Sequence, residues 1–250
     1  MQRKAEIGSL KFTREYLCVP ISTGTALFNP EAVADCKDKD VILKLGNRKD
    51  KGYKYYVGVD PAISTDGDYN VITVLEMDEN QTKRIVHIDR AKNVDFRENI
   101  EKIRMIGKIF QPEVVLYETN TFAKAFTQEL RNISDLNVQD FNTTRKKKQE
   151  IILSLQMNIE NKKMRFPYGD ETSRRVTNML IEELSMFSIT QSGKFEGVGA
   201  HDDLVMSLAL ATAATHVMGQ TFLLLDDMGI FDEVGASRPN EPNAVFGLNW

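Results

Sequence analysis

Acidic residues stand at the ends of hydrophobic segments at three places far apart in this sequence. Asp60 follows Tyr-Val-Gly-Val and precedes a proline, and Glu118 follows Val-Val-Leu-Tyr. Asp202-Asp203 precede Leu-Val-Met-Ser-Leu. Each adjoins a segment expected to be buried, so a rigid element should fix its position. Carboxylate oxygens bind Mg²⁺, and two such ions about 3.5–4 Å apart can act on both oxygens of a phosphodiester displacement. The pattern predicts a metal-dependent site that cleaves phosphodiester bonds.

Two of these three sites also have an ordinary structural explanation. Asp60 precedes Pro61 and can simply form a turn. One residue of the Asp202-Asp203 pair can serve only as a helix cap, although adjacent aspartates repel each other and a divalent cation relieves that repulsion. Glu118 is harder to explain without a partner, because an unpaired charge beside the core is costly. A metal ion or an arginine would offset that cost.

Three further residues are candidates for supporting roles. Asp66 and Asp68 lie in a loop expected to pass close to Asp60, where they could act behind the first ligands or bind a second metal. An Asx-type turn is the alternative for both. His201, directly before the aspartate pair, could assist a leaving group or a water, and a local hydrogen bond at the helix start is its alternative.

Composition limits the class of protein. The chain has 250 residues, 42% hydrophobic and 27% charged, as expected for one globular domain with extensions or for two small domains. It contains no apolar run near the ~20 residues that cross a bilayer and no signal peptide, so we expect no membrane partner. Two cysteines are too few for a disulfide framework, which favours a reducing cytoplasm. No phosphate-binding P-loop motif occurs.

The net charge of −4 is unevenly distributed. Thr221–Trp250 contains five acidic residues and one arginine, so acidic and basic residues are equal in number in the rest of the chain. Nine basic and four acidic residues fall within Arg145–Arg175, beginning with Arg145, Lys146, Lys147 and Lys148. An excess of this size can bind a nucleic-acid backbone in a protein that is acidic overall. A solvated lysine-rich helix face is the alternative.

Hydrophobic periodicity predicts a mixed α/β sheet. Lys54–Val59, Asn70–Met77 and Arg84–Ala91 read as an antiparallel three-stranded meander. Strands and helices then alternate, and we expect parallel strands flanked by helices. The predicted later strands are Val114–Tyr117, Val138–Phe141, Lys163–Phe166 and a hairpin around Gln191–Gly193; the predicted helices are Pro30–Lys37, Asp95–Phe110, Ala123–Arg131, Lys146–Asn161, Glu171–Phe187 and Asp202–Val217. We divide the chain into an N-terminal extension and linker (1–50), a main domain (51–219) and an acidic tail (220–250).

These motifs and their order resemble one family. Val-Gly-Val-Asp-Pro-Ala with Asp68-Tyr69 downstream, then Tyr117-Glu118, then Gly-Ala-His-Asp-Asp-Leu-Val-Met-Ser-Leu-Ala-Leu-Ala are similar to the ribonuclease H-like nuclease domain of bacteriophage terminase large subunits. Phe12-x-x-Glu15-Tyr16-Leu17-x-x-Pro20 resembles the segment that leaves the ATPase domain in that family. The ATPase half is missing, so the resemblance implies a C-terminal fragment or the product of a split gene.

The resemblance implies a mechanism, partners and a location. Asp60 would bridge two Mg²⁺ or Mn²⁺ ions, with Glu118 on one side and Asp203, with or without Asp202, on the other. The substrate would be concatemeric double-stranded viral DNA in the cytoplasm of an infected bacterium. Arg145, Lys146, Lys147 and Lys148 would contact its phosphates, and the partners would be the terminase small subunit and the portal protein.

Other functions remain open from the sequence. A Holliday-junction resolvase or another ribonuclease H-like nuclease would use a similar set of carboxylates. An actin-like or sugar-kinase-like ATPase also places Val-Gly-Val-Asp beside a phosphate, but such proteins carry a second copy of that motif, which is not found here. A docking module of the packaging motor, without catalytic activity, is the last alternative.

Overall fold

The computed structural model describes residues 26–44, 52–62, 69–119, 123–189, 195–197 and 202–217. Six helices lie within these ranges: α1 (Pro30–Asp35), α2 (Phe96–Phe110), α3 (Ala123–Ile133), α4 (Arg145–Glu160), α5 (Glu171–Met186) and α6 (Asp203–Val217). The strands described are β1 (Lys37–Asp38), β2 (Lys54–Asp60), β3 (Asn70–Met77), β4 (Lys83–Ala91), β5 (Val114–Thr119), β6 (Val138–Asn142), β7 (Met164–Pro167), β8 (Phe187–Ile189) and β9 (Phe195–Gly197).

Seven of the strands form one mixed sheet in the order β1-β7-β4-β3-β2-β5-β6. The β2–β3 and β3–β4 pairs are antiparallel, and the other neighbours are parallel. The predicted meander and the predicted change to parallel pairing are confirmed. This is the ribonuclease H-like arrangement expected from the sequence. It matters for function because the C-terminal ends of β2, β4, β5 and β6 all lie at the same edge of the sheet.

Residues 26–44, which we assigned to an N-terminal extension, pack as part of this fold. Leu27 and Phe28 are buried in the same core as the main sheet, and α1 begins at the predicted cap Asn29. The two residues of β1 pair with β7 and form the edge of the sheet, a strand too short to predict from alternation. The acidic tail and most of the predicted linker lie outside the described residues.

Two hydrophobic cores cover the two faces of the sheet. One face packs against α4, α5 and α6, and includes Tyr56 and Leu116; the other packs against α2 and α3, and includes Val57 and Tyr117. Side chains alternate between the faces along β2 and β5. Tyr56, Gly58 and Asp60 therefore point toward α6, as do the even-numbered residues of β5.

Helix α6 lies unusually close to β2. A Cβ atom on Gly58 would come within 2.2 Å of both the Ala211 nitrogen and the Ser207 oxygen, so only glycine fits there. The buried Ser207 hydroxyl also lies 2.7 Å from the Thr73 hydroxyl on β3. These contacts fix the helix along the sheet and bring its N-terminus to the edge where β2 ends. None of the helices in the described ranges is long and apolar enough to span a bilayer.

Candidate metal centre

Asp60 and Glu118 lie side by side at the C-terminal edge of the sheet. Asp60 is the last residue of β2 and Glu118 the penultimate residue of the parallel strand β5, and Val59 pairs with Tyr117. Both continue the positions that face α6, so both carboxyl groups project from the same face of the sheet. The alternation visible in the sequence thus accounts for their meeting.

The two carboxyl groups are close enough to share a hydrogen bond. Burial, followed by the neighbouring charge of Glu118, raises the pKa of Asp60 well above its usual range, and Asp203 and Asp202 add smaller contributions in the same direction. Burial disfavours the charged form of the carboxyl group, and repulsion among the neighbouring carboxylates disfavours it further. A proton relieves this repulsion in the protein without metal, and a cation would relieve it more completely.

Asp203 approaches from the other side of Asp60. It is the first residue of α6 and is buried, and its Oδ2 lies 3.4 Å from the backbone N–H of Tyr69, the residue before β3. Since β3 is the neighbour of β2 opposite β5, Asp60 stands between Glu118 and Asp203. The bridging role that the resemblance implied for Asp60 stays a prediction.

Asp202 points toward a different partner. Its Oδ2 accepts a hydrogen bond from the Lys148 ammonium at 2.9 Å, and both side chains are about one quarter exposed. Lys148 belongs to the first turn of α4, which begins at the cap Thr144. The predicted DNA-binding cluster therefore reaches the carboxylates through its last member, Lys148. Arg145 and Lys146 are exposed, whereas Lys147 and Lys148 are partly buried.

Glu183 on α5 holds the start of α6 and was not predicted. Its Oε2 accepts hydrogen bonds from the backbone N–H groups of Leu204 at 2.8 Å and Val205 at 3.3 Å. It thus does the work of a capping residue from a neighbouring helix. Burial raises the pKa of Glu183 to about 7, against the opposing effect of these N–H groups. Its sequence signal was an acidic residue on the apolar stripe of α5, three positions after Leu180.

The donor set suits a hard divalent cation, but it is not assembled as a finished cage. All of these side chains offer oxygen atoms, the ligands of Mg²⁺ and Mn²⁺. Within the described ranges, however, no three acidic, histidine or cysteine side chains lie close enough together to hold a metal ion as they stand. A divalent cation held by Asp60, Glu118 and Asp203 therefore stays a prediction. The predicted supporting residues Asp66, Asp68 and His201 fall outside the described part of the chain.

The fold and this acidic edge define the class of protein: a ribonuclease H-like domain with carboxylates at the ends of β2 and β5 and at the start of the last described helix. Residues 57–214 match the model of a family described as the terminase RNaseH-like domain. That match covers more than half of the sequence, and the chain belongs to this family. A comparison with curated proteins found no match.

Solved structures of large terminases share the fold. The large terminase nuclease from thermophilic phage G20c has 21% sequence identity and a TM-score of 0.56, over 73% of this chain and 95% of that one. It is also known with bound magnesium and with bound cobalt. The Thermus phage P74-26 nuclease domain has 20% identity and a TM-score of 0.54, over 76% and 96% of the two chains. The HK97 large terminase has 12% identity and a TM-score of 0.56, over 85% of this chain and 49% of that one.

Proposed function

We propose that this protein is the metal-dependent endonuclease of a phage packaging terminase and cuts concatemeric double-stranded viral DNA. The observation that carries the proposal is the central position of Asp60, with Glu118 in contact on one side and Asp203 on the other. The family relationship supports it, and so do the metal ions bound by the G20c nuclease.

The position of each carboxylate indicates which metal ion it would bind. Asp60 and Glu118 would hold one Mg²⁺ or Mn²⁺ ion, and Asp60 and Asp203 would hold a second, with Asp202 available beside them. Bound ions of this kind acidify an attacking water and stabilise the negative charge on the leaving oxygen. Glu183 accepts from the backbone at the start of α6 and holds it in place, so Asp203 would approach a bound ion from a fixed direction.

The first turn of α4 would hold the substrate. Arg145, Lys146, Lys147 and Lys148 present positive charge next to the carboxylates, and phosphate contacts position DNA without selecting a sequence. In the infected bacterial cytoplasm the same chain would meet the terminase small subunit and the portal protein. Those partners and that location are inferred from the family alone.

A plasmid-cleavage assay tests the proposal. Supercoiled plasmid with Mg²⁺ or Mn²⁺ should be nicked and then linearised, and chelator should abolish both products. Asp60→Asn, Glu118→Gln and Asp203→Asn should each lower the rate by at least about 100-fold, whereas Asp135→Asn on an exposed loop should not. Full activity in Asp60→Asn would refute the proposal.

The same assay separates the rival functions. Preferential cutting of four-way junctions over linear duplex would identify a resolvase. Metal binding without cleavage of any DNA substrate would identify a docking module instead.

A further inference from the structure

Two cations contact one aromatic ring, that of Tyr69, whose backbone N–H lies beside Asp203. The Arg90 guanidinium carbon lies 3.4 Å from the centroid of the Tyr69 ring, and the Lys92 ammonium lies 4.5 Å from the same centroid. Arg90 is the penultimate residue of β4, and Lys92 follows the strand. We call Tyr69, Arg90 and Lys92 the β4 patch.

The positive charge of the β4 patch is only partly neutralised. Arg90 has one carboxylate neighbour among the described residues, Glu183, at 3.7 Å. Its Nε atom is buried and has no hydrogen-bond partner in the described part of the chain. Lys92 is exposed, and within the described residues its ammonium contacts the ring of Tyr69. Two like charges packed together repel each other, which an anion would relieve.

The positive surface extends beyond the patch. Arg90 also lines a cavity of about 410 Å³ between β4 and α5, together with Arg175. Asp170 lies at the same cavity, but its side chain already caps α5 by accepting from the Ser173 N–H at 2.7 Å. This surface therefore favours a ligand with several negative charges spaced along it.

The β4 patch and the start of α4 lie on opposite sides of the carboxylates. Strand β3 separates β4 from β2, and two strand spacings put the end of β4 about 10 Å from Asp60. On the other flank, the Lys148 ammonium touches Asp202. A nucleic-acid strand that crosses the sheet edge with one phosphate at the carboxylates would bring neighbouring phosphates to both groups of cations.

We propose that the β4 patch is a second phosphate-binding subsite, which holds the DNA backbone beside the scissile phosphate on the side away from α4. This inference rests on the proposed nuclease function and extends it. Arg90 and Lys92 would bind phosphate oxygens, and the Tyr69 ring would keep both cations directed toward the strand. The contact carries no base selectivity, because phosphates are the same in every sequence.

Binding of duplex DNA in chelator tests the subsite apart from cleavage. Lys92→Gln is compared with Lys108→Gln, a matched exposed lysine in the last turn of α2, which runs from the catalytic edge to the opposite one. Fluorescence anisotropy across a salt series should show a slope of log affinity on log salt about 0.9 smaller for Lys92→Gln. Affinity at low salt should fall several-fold, and Lys108→Gln should match the parent.

Each outcome bears on a different claim. Equal slopes for Lys92→Gln and the parent would overturn the subsite and leave the nuclease proposal intact if the parent still cuts plasmid. A reduced slope in a protein that cuts no DNA would support the subsite and overturn the nuclease proposal. Charge reversal in Lys92→Glu should weaken binding further, and urea unfolding should show that all three variants are folded.

Discussion

At the scale of single residues, the charged form of Asp60 is destabilised by its surroundings, and a bound proton or metal cation would relieve that destabilisation. Its folded pKa is raised, chiefly by burial and then by Glu118. Any stability from the protonated form is present below the unfolded pKa of about 3.9 and is lost as pH rises through the folded value. At neutral or alkaline pH without metal, Asp60 therefore lowers the free energy of unfolding.

We expect Asp60→Asn to be more stable than the parent in chelator at pH 8, because the neutral amide removes the repulsion while keeping the shape. Thermal melting should place its midpoint a few degrees higher. Added Mg²⁺ should raise the midpoint of the parent and leave that of Asp60→Asn nearly unchanged. A variant that melts at or below the parent in chelator would contradict this account of the site.

Lys148 provides the second prediction at this scale. Its ammonium forms an ion pair with the Asp202 carboxylate at 2.9 Å, so it would compete with a metal ion for that carboxylate. Lys148→Met should bind Mn²⁺ several-fold more tightly in calorimetric titration, because a positive charge near the ion is removed. The same variant should bind DNA more weakly. Lys146→Met is the control, and its Mn²⁺ affinity should equal that of the parent. If Lys148→Met binds Mn²⁺ no more tightly than the parent, the Lys148–Asp202 ion pair does not compete with the metal ion.

At the scale of elements, the approach of α6 to β2 decides whether Asp203 reaches Asp60. Gly58→Ala would place a methyl group against the backbone of Ser207 and Ala211, which cannot move without displacing the helix. We expect a loss of about 3 kcal/mol or more in the free energy of unfolding by urea. Gly107→Ala is the control, since the nearest atoms that its new methyl would meet belong to the movable Leu136 side chain. Equal losses in the two variants would contradict the special role of this contact.

The elements themselves were largely predictable from local pattern. Asn70–Met77 was predicted with its observed bounds, and Asp95 caps α2 as expected. The alternation expected in β4 fails because a bulge opposite Val74 and Leu75 adds one residue, so Ile85 and Ile88 share a core while Val86 joins the other. Glu183 was missed because its partners are backbone groups more than twenty positions away, which no local pattern reveals. The acidic positions were singled out because each one adjoins a hydrophobic run, and their role as metal ligands stays a prediction.

At the scale of the whole molecule, the two ends of α6 differ in chemistry. Far from Asp203, His216 is largely buried, with its Nε2 3.4 Å from the Ser154 hydroxyl. Burial, and to a smaller extent the charge of Lys83, lowers the pKa of His216 to about 4. A depressed folded pKa contributes stability that is present above the unfolded value of about 6.5 and is lost as pH falls through 4.

Acidification should therefore destabilise the parent more than His216→Gln. Between about pH 6.5 and 4, we expect the parent to lose about 2 kcal/mol more in the free energy of unfolding than the variant. Urea unfolding at several pH values measures how the free energy of unfolding changes with pH in each protein. The contributions of the carboxylates are common to both proteins and cancel in the comparison. The same pH dependence in both proteins would show that protonation of His216 does not destabilise the fold.

The central claim is that three carboxylates far apart in sequence share divalent cations at one edge of the sheet. Crystals soaked in Mn²⁺ and measured near the manganese absorption edge test it most directly. The account predicts two anomalous peaks about 3.5–4 Å apart that both contact Asp60, one also bound by Glu118 and the other by Asp203. Crystals of Asp60→Asn should lose at least one peak. Manganese bound elsewhere, or no peak between Asp60 and its two neighbours, would contradict the account.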